Sequence, residues 1–571
     1  MEVDFDGGYG MEIYNELYEL WLEKCKDFEL REELESIRGK DEEILDRFYK
    51  KLKFGTAGLR GVLGAGTNRM NIYTVNQVTQ GVSEYLLATF KNPSVAIAYD
   101  SRINSERFAR ETACVFAANG IKAYIYPELV PTPMLSFAVR KLSCASGVMI
   151  TASHNPAKYN GYKCYDSEGY QMTDEAADSS YAYIQKVDIF EDVKKIDFED
   201  GLKTGIIEYI SEEIINEFYD LVASKTINPD AIKHAGLKVI FTPLNGTGNI
   251  PVRKMFERLG LQNVKVVKEQ ELPDGNFPTC PYPNPEIKQV FECAIKMSKD
   301  FKADLLVATD PDCDRMGIAV LDNDEYKLMS GNEVGALFTE YVLSQYKEKG
   351  LMPAEPVIIK SFVTTNLVSV IAENYGAKAI DLLTGFKYIG EYITNLEKEG
   401  KEDNFIIGME ESYGYLFGIH ARDKDAVVAS TLVCEMASYY KQQGKSLIDV
   451  MNEIYDKYGI YLNRVESFEF EGAAGMQKMV RIMDNLRVDK KEQVGGLKVL
   501  KTIDYEDTTV TSLPASNVIN LILEHGNSVV VRPSGTEPKI KIYVTAVSNT
   551  FEGAEELFEK MLADAKTWLE V

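Results

Sequence analysis

Three aspartates at alternate positions, in the stretch TDPDCDR, could bind a metal ion. Asp310, Asp312 and Asp314 recur with a period of two, so in an extended segment all three carboxylates would face the same way. Three like charges this close repel one another unless a cation lies among them. Oxygen ligands suit a hard divalent ion, and three carboxylates leave room for water or phosphate, which favours Mg²⁺ over Ca²⁺.

This carboxylate loop has two other interpretations, a calcium-binding EF-hand loop and an acidic surface turn. An EF-hand calcium loop needs glycine at its sixth position and glutamate at its twelfth, where this chain has Arg315 and Leu321. The loop could also be an acidic surface turn that caps a helix. The apolar run ADLLVA stands directly before it, however, which indicates a core strand and favours metal binding.

A serine follows another apolar run, in SGVMITASHNP, and could carry a phosphoryl group. The nucleophile elbow of hydrolases needs glycine two residues before and after the serine, but Thr151 and Asn155 flank Ser153 at that spacing. Beside a bound cation that neutralises phosphate oxygens, the serine oxygen could instead take up the phosphoryl group. Pro156 would hold the loop rigid. The alternative is that these residues only cap a turn between the strand and a following helix.

The known phosphate-binding fingerprints are absent, but one other stretch suits a phosphate. A Walker loop would need lysine where GVLGAGT has Thr67, and a dinucleotide fingerprint would need glycine where NGTGNIP has Pro251. In VVVRPSGTEPKIK, an arginine, two hydroxyls and a glycine turn could form a nest for a phosphate dianion, unless the turn is an ordinary hairpin. The residues concerned are Arg532, Ser534, Gly535 and Thr536.

The elements that must position these loops occur as a pattern repeated three times. Each copy runs from an apolar strand through an amphipathic helix, a second strand and a second helix to a third strand with a polar loop. The copies begin at VAIAY, LKVIFTPL and PVIIKSFV, and the third one ends in the loop MEESYG. In the first copy one helical face carries Phe108, Thr112, Val115 and Phe116, and Gly120 ends the helix. The pattern predicts βαβ units with parallel sheets, in which ligands bind beyond the carboxyl ends of the strands.

The third loop suits the hydroxyl groups of a sugar. Glu410 and Ser412 offer acceptor oxygens, and TGFK at the neighbouring strand end adds Thr384, Gly385 and the basic Lys387. Single glutamates in loops are usually only solvated, and it is the position that this loop shares with the other two that favours a binding role.

The predicted fold class is α/β, with three topologically similar domains of mixed, largely parallel sheets and a C-terminal α+β domain around a central cleft. The predicted divisions are a helical lead-in over 1–50, a phosphoserine domain over 51–205, a metal-binding domain over 206–325, a sugar-binding domain over 326–460 and a C-terminal phosphate-binding domain over 461–571.

Composition excludes several classes of partner. The formal net charge of -25 argues against nonspecific binding to nucleic acid or to an anionic membrane surface. No apolar run reaches a membrane span, the start MEVDFDGGYG lacks the character of a signal peptide, and the eight cysteines contain no C-x-x-C pair. These features predict a cytoplasmic protein with reduced cysteines.

The ordered set TASHNP, DPDCDR, TGFKYIG, GMEESYG, ARDKD and RPSGTEP resembles the α-D-phosphohexomutases, from about Leu52 to the C-terminus. Within that family the chain looks most like the long bacterial phosphoglucomutases, near the phosphopentomutase branch. It departs from the commoner pattern at Phe386, where tryptophan is frequent, and at Pro311 and Cys313, where glycine is frequent. No predicted ligand is changed by these departures.

The resemblance implies an isomerase that moves a phosphoryl group between Ser153 and the two ends of a phosphosugar, through a bisphosphorylated intermediate. Mg²⁺ would be held by the three aspartates and a phosphoserine oxygen, and a sugar 1,6-bisphosphate would act as activator. Glu410, Ser412, Thr384 and Gly385 match sugar contacts, and RPSGTEP matches the distal phosphate site. The polar residues expected around the reaction centre are Arg60, His154, Lys163, Arg315, His420, Arg422 and Lys424. Lys424 is our predicted general base, with a pKa lowered by burial, and His154 assists it.

The loop sequence EES predicts glucose as the preferred sugar, because dual-specificity phosphomannomutases carry Glu-Met-Ser there. Phosphopentomutase or phosphomannomutase activity is the closest alternative. A noncatalytic phosphosugar-binding protein and a phosphatase are the alternatives of another class. The expected partners are small phosphosugars, with a monomer or homodimer as the assembly.

Overall fold

This computed structural model describes residues 9–55, 58–470, 472–511, 513–534 and 539–570. Chain contacts divide the protein into two compact units. The first unit consists of Met1–Ala319, Gly390–Asn395 and Tyr415–Glu435, and the second of Val320–Ile389, Leu396–Gly414 and Met436–Val571. Because this division runs through the predicted domains, the boundaries near 205, 325 and 460 stay predictions. No helix in the described part of the chain is both long and apolar enough to cross a membrane.

Three helices open the first unit and share a small core with Tyr73 and Phe190. They are α1 (Tyr9–Lys24), α2 (Phe28–Ser36) and α3 (Asp41–Phe48). Trp21, Leu34 and Phe48 are buried where the helices meet, and the Trp21 and Phe48 rings pack edge to face at 5.9 Å. All three helices lie within 1–50, the region for which the sequence predicts a helical lead-in.

A six-stranded sheet follows in the first unit. Its elements are β1 (Leu59–Val62), α4 (Ile72–Thr89), β2 (Ser94–Tyr99), α5 (Ser105–Ala118), β3 (Lys122–Ile125), α6 (Thr132–Lys141), β4 (Ser146–Ile150), β5 (Tyr159–Asp166), α7 (Asp174–Ile184), α8 (Phe198–Thr204) and β6 (Ile207–Tyr209). The strand order is β1-β5-β4-β2-β3-β6, with β2 parallel to β3 and β4.

The predicted amphipathic helix of this sheet is confirmed as α5. Phe108, Thr112, Val115 and Phe116 are at most 1% exposed, and Gly120 follows the helix with a φ of 78°. The prediction of a helix after the serine loop is wrong. The chain turns back there and forms strand β5, which is antiparallel to β4 and to β1. Tyr162, Cys164 and Tyr165 are buried in this strand, which lies between β1 and β4 in the sheet.

The second repeat, also in the first unit, contains α9 (Glu212–Ala223), α10 (Pro229–His234), β7 (Lys238–Thr242), α11 (Asn249–Leu259), β8 (Asn263–Val266), α12 (Lys268–Glu271), a 3₁₀ turn (Lys288–Phe291), α13 (Glu292–Phe301) and β9 (Leu305–Thr309). Two further strands, β10 (Met316–Asp322) and β11 (Glu325–Met329), follow in the chain. β7 lies between β8 and β9 and is parallel to both.

The third repeat comprises α14 (Gly331–Lys349), β12 (Val357–Ser361), α15 (Leu367–Asn374), β13 (Lys378–Leu382), α16 (Phe386–Lys398), a 3₁₀ turn (Glu402–Asn404), β14 (Phe405–Glu410), β15 (Gly414–Phe417), α17 (Ala426–Lys441) and α18 (Leu447–Tyr458). β12 lies between β13 and β14 and is parallel to both. In all three repeats the first strand is therefore central, and the third strand, β4, β9 or β14, ends in the polar loop.

The C-terminal region forms an antiparallel sheet with helices. It contains β16 (Ile460–Glu469), α19 (Gly472–Val488), β17 (Gln493–Val494), β18 (Leu497–Asp504), α20 (Thr508–Thr511), β19 (Ile519–Leu523), a 3₁₀ turn (Glu524–Gly526), β20 (Ser528–Pro533), β21 (Lys539–Ser548) and α21 (Phe551–Thr567). The order is β16-β21-β20-β19-β18-β17. The predicted fold class, α/β repeats followed by an α+β region, is confirmed, although the sequence analysis missed β19 and β17.

The C-terminal sheet packs on the third repeat through an aromatic cluster within the second unit. Phe362, which follows β12, stacks on Tyr505, which follows β18, with ring centroids 4.7 Å apart. Val363, Leu383 and Val530 are buried in the same cluster. This contact fixes the end of β20 relative to the loops of the third repeat.

Candidate functional site

The serine loop lies at the carboxyl end of β4 and holds Ser153 in an unusual backbone conformation. Ser153 has a φ of 51°, in the left-handed region, and is 4% exposed. Its backbone N–H donates to the Thr151 hydroxyl at 2.8 Å. Its own hydroxyl donates to Asp310 Oδ2 at 2.9 Å and lies 3.2 Å from His154 Nδ1. The first and second repeats therefore meet at this oxygen, within the first unit.

The carboxylate loop between β9 and β10 is a tight turn, so the prediction that this segment is extended is wrong. The Cys313 N–H donates to the Asp310 carbonyl at 2.9 Å, and Cys313 has a φ of 51°. Asp310 Oδ1 accepts the N–H groups of Asp314 and Arg315 at 3.1 and 3.0 Å. The three carboxylates still converge, because the turn itself is folded around one of them, and one oxygen from each lies within 4.8 Å of the others.

Burying three carboxylates in their ionised form is energetically unfavourable unless a cation lies among them. All three aspartates are at most 2% exposed, and Oδ1 of Asp312 and of Asp314 has no hydrogen-bond partner. Burial and the charges of Asp312 and Asp314 raise the pKa of Asp310 well above its ordinary value. Unpaired buried carboxylate oxygens beside a serine hydroxyl fit an oxygen-preferring divalent cation.

Two lysines face the aspartates. Lys163 on β5 donates to Asp312 Oδ2 at 2.9 Å, and Lys424 lies 3.2 Å from Asp314 Oδ2 and 3.1 Å from Asp423 Oδ1. Burial opposes the charge on Lys163, but Asp312 and Asp314 outweigh it and raise its pKa. Two carboxylates around the Lys424 amine stabilise its ammonium form, which favours proton donation or phosphate binding over the predicted role as base.

His154, Arg60 and Arg315 surround the serine side of the cluster. Burial and the guanidinium groups of Arg315 and Arg60 hold the pKa of His154 well below its ordinary value, which leaves its ring neutral beside the Ser153 hydroxyl. Arg60 on β1 donates to Asn155 Oδ1 at 3.3 Å, and Arg315 donates to Glu286 Oε1 at 2.9 Å. The structure brings these three residues together with Ser153.

His420 and Arg422 are enclosed in the first unit and hold the loop that carries Lys424. His420 Nε2 lies 2.7 Å from Asp425 Oδ2, and Asp425 Oδ1 accepts the Val427 N–H at the start of α17. The Arg422 side chain donates to Thr394 Oγ1 and to the Ile419 carbonyl, and the residue has no exposed surface. These contacts position the loop, and the place of the two residues around the reaction centre stays a prediction.

Two residues that the sequence analysis missed hold the reacting loops. The Thr132 hydroxyl donates to Asp312 Oδ2 at 3.0 Å, and its N–H donates to the Asp312 carbonyl at 2.9 Å. Arg102, after β2, donates to several backbone carbonyls of the serine loop. Their place in the chain could have indicated such a role, because Arg102 follows the apolar strand β2 and Thr132 follows the strand β3.

The sugar-loop candidates lie in the second unit. Glu410, at the end of β14, is 5% exposed, and its Oε1 accepts the Gly385 N–H at 2.7 Å, which joins two of the predicted loops. Thr384 Oγ1 is buried without a hydrogen-bond partner. Lys387 lies 4.9 Å from the Tyr388 ring centre, and Ser412 is half-buried beside Tyr413, whose φ is 66°.

The phosphate candidates at the end of β20 belong to the same unit. Arg532 hydrogen-bonds the Tyr543 side chain on β21. Burial, followed by the charge of Glu411, raises the pKa of Tyr543, and Glu410 adds to the effect. Tyr543 is therefore within electrostatic range of both Arg532 and the sugar loop. The Ser534 N–H donates to the Lys539 carbonyl at 2.7 Å. Gly535 and Thr536 lie outside the described residues.

Comparison with known proteins gives four matches in chain order. Sequence models for the phosphoglucomutase/phosphomannomutase alpha/beta/alpha domains I, II and III match residues 51–189, 216–323 and 330–458, and the model for the C-terminal domain matches 484–562.

Two similar relatives are phosphoglucomutases. That of Staphylococcus haemolyticus is 35% identical over 91% of this chain and 95% of its own, and that of Staphylococcus saprophyticus is 35% identical over 95% and 98%. The open form of pp63/parafusin from Paramecium, a phosphoglucomutase, shares the fold, with a TM-score of 0.70, 18% identity and coverage of 91% and 95%. The chain belongs to the phosphoglucomutase/phosphomannomutase family and is a phosphohexomutase, an enzyme of the isomerase class.

Proposed function

We propose that this enzyme interconverts glucose 1-phosphate and glucose 6-phosphate through a phosphorylated Ser153 and a bisphosphorylated sugar. The observation that carries the proposal is the 2.9 Å contact between the Ser153 hydroxyl and Asp310 in a buried carboxylate cluster. A hydroxyl in that position can exchange a phosphoryl group with a sugar oxygen, whereas a protein that only binds phosphosugars needs no such acceptor.

We assign Mg²⁺ to Asp310, Asp312, Asp314 and a phosphoserine oxygen. Bound there, the ion would neutralise the charge on the phosphoryl oxygens. The unpaired Oδ1 atoms of Asp312 and Asp314 support the assignment. A sugar 1,6-bisphosphate is the activator we expect to keep Ser153 phosphorylated.

We assign the proton and charge handling to residues of the first unit. The neutral His154 ring lies against the Ser153 hydroxyl and orients it. Lys163 and Lys424 carry positive charge beside the aspartates and would attract the transferring phosphoryl group. Lys424 remains our candidate for proton exchange: as an ammonium it would donate a proton to the ester oxygen that leaves phosphorus, and the amine so formed would accept the proton of the attacking hydroxyl.

We assign sugar recognition to the second unit. Glu410 and the unpartnered Thr384 hydroxyl offer polar groups to sugar hydroxyls, and Arg532 offers a guanidinium to the phosphate that is not transferred. Phosphopentomutase and phosphomannomutase activities are the alternatives, because the same groups would accept a pentose or mannose phosphate.

The test is the conversion of glucose 1-phosphate, mannose 1-phosphate and ribose 1-phosphate, each with and without the corresponding bisphosphate. We expect glucose 1-phosphate to have the highest kcat/KM and the bisphosphate to raise turnover. Inorganic phosphate as the main product would show a phosphatase and refute the proposal. Preference for ribose or mannose would assign the alternative substrate instead.

A further inference from the structure

The residue that most directly shapes the serine loop is Arg102, in the turn after β2. Its side chain is wholly enclosed. Asp100 fixes this turn, because its Oδ1 accepts the Arg102 N–H at 2.9 Å and the Ser105 hydroxyl at 2.7 Å. Asp100 Oδ2 accepts the Thr151 hydroxyl at 2.6 Å, and Thr151 in turn accepts the Ser153 N–H. Asp100 thus joins the turn to the serine loop independently of the Arg102 guanidinium.

The guanidinium of Arg102 donates to four carbonyl oxygens of the serine loop. Nη1 donates to those of Pro156 and Tyr159, each at 3.0 Å, and Nη2 donates to those of Ser153 and Asn155. These acceptors span the whole turn between β4 and β5. A planar guanidinium with fixed N–H directions can bond four carbonyls at once, which an ammonium with three donors cannot do.

The opposite face of the guanidinium is covered by the segment before Cys280. The Phe277 ring centre lies 5.0 Å from the guanidinium carbon. A Cβ on Gly275 would lie 2.5 Å from the Ile103 N, so this segment fits closely against the turn of Arg102. The second repeat therefore holds Arg102 against the serine loop of the first.

The loop needs such support because its conformation is unfavourable by itself. A left-handed φ at a residue other than glycine is unfavourable, and buried carbonyls without donors are a further cost in free energy. Without Arg102 the Ser153 backbone would be free to relax, and its hydroxyl would leave its position beside Asp310.

We propose that Arg102 is a positioning residue for phosphoryl transfer, which holds Ser153 Oγ at the aspartate cluster through the backbone of its loop. This inference rests on the proposed function of Ser153. In the step concerned, the bond from phosphorus to Ser153 Oγ breaks and one to the sugar oxygen forms, while the sugar hydroxyl proton is returned to the serine oxygen. Arg102 touches neither the phosphoryl group nor the sugar.

The test compares Arg102→Gly with and without added guanidinium ion, at concentrations below those that unfold the protein. We expect kcat to fall about 100-fold with KM unchanged, since a small displacement of a reacting atom has effects of that size. Guanidinium should restore a large part of kcat by filling the vacated space. Absence of rescue in a folded variant would overturn the inference. The control is Arg110→Ala, which removes an exposed arginine on α5 paired with Glu106 at 3.0 Å.

Arg102→Lys is the second variant, because Arg102→Gly can fail to fold. It keeps the charge and most of the volume but lacks the fourfold bonding, so we expect a similar loss of kcat and the same Mg²⁺ affinity as the wild type. Wild-type kcat in Arg102→Lys would refute the positioning role. Failure of the proposed function would show differently, as an absence of mutase turnover in the wild type itself.

Discussion

Ser153 Oγ donates a 2.9 Å hydrogen bond to Asp310 Oδ2, although 157 residues separate the two in the chain. One residue ends a strand of the first repeat and the other ends the equivalent strand of the second. The contact places a potential phosphoryl carrier directly at the carboxylates that can hold a divalent cation.

Ser153→Ala should fold normally and lose at least about 1,000-fold in mutase turnover, because it removes the atom that carries the phosphoryl group. Coupled assay of glucose 6-phosphate formation measures the loss, and thermal unfolding checks the fold. Ser167→Ala, at an exposed serine after β5, is the control. Near-normal turnover in Ser153→Ala would mean that another group accepts the phosphate.

Asp310→Asn should abolish the rise in thermal stability that Mg²⁺ causes while leaving the metal-free protein about as stable as the wild type. The pKa of Asp310 is raised by burial and by the neighbouring aspartates, so a neutral amide fits its metal-free surroundings. Melting curves at increasing Mg²⁺ measure both effects, with the exposed Asp324→Asn as control. An unchanged Mg²⁺ response would place the ion elsewhere.

Arg532→Ala should raise the KM for glucose 1-phosphate by about tenfold or more and leave Mg²⁺ binding unchanged, because it removes a charged hydrogen-bond donor from the distal phosphate. Steady-state kinetics and metal titration give the two values. Arg481→Ala, at an exposed arginine on α19, controls for the loss of charge. Loss of metal binding in Arg532→Ala would contradict the assignment of Arg532 to a separate phosphate site.

Asp166 should make stability depend on pH. Burial raises its pKa from the ordinary 3.8 to about 7, so between these values the folded state binds more protons than the unfolded state. The free energy of unfolding that this group contributes therefore falls as pH rises through that window.

Asp166→Asn should remove this fall, since an amide retains the acceptor for the Glu168 N–H at 2.8 Å without the charge. Denaturant unfolding from pH 4 to 8 measures the slope, and Asp178→Asn, at an exposed position on α7, should leave it as in the wild type. Equal slopes in wild type and Asp166→Asn would refute the prediction.

The strands and helices of the three repeats could be predicted because burial imposes a periodic pattern on them. Phe108, Thr112, Val115 and Phe116 illustrate this on α5. The convergence of the aspartates was expected from an extended segment, but it arises from a turn folded around Asp310. The turn at Cys313, with its positive φ, has no periodic sequence pattern from which it could be predicted. The strand β5 resembles a polar loop in sequence, because tyrosines and a lysine occupy its buried positions.

Arg102 could not be recognised from the sequence, since its acceptors are backbone carbonyls and these carry no residue identity. The contacts by which Arg422 and His420 support a loop were likewise not recognisable from the sequence, and the place of both residues around the reaction centre stays a prediction. Side-chain type indicates what a residue can bond, and the fold decides what is within reach.

The segment Tyr415–Glu435 belongs to the first unit although two stretches of the second unit, Val320–Ile389 and Leu396–Gly414, lie between it and Ala319. During synthesis from the N-terminus, a nascent chain that ends at Ala319 already contains Ser153 and the three aspartates. It lacks Lys424 and the Asp423 partner of Tyr165. The ribosome must therefore release more than a hundred further residues before the first unit can close, so the reaction centre is completed late in translation.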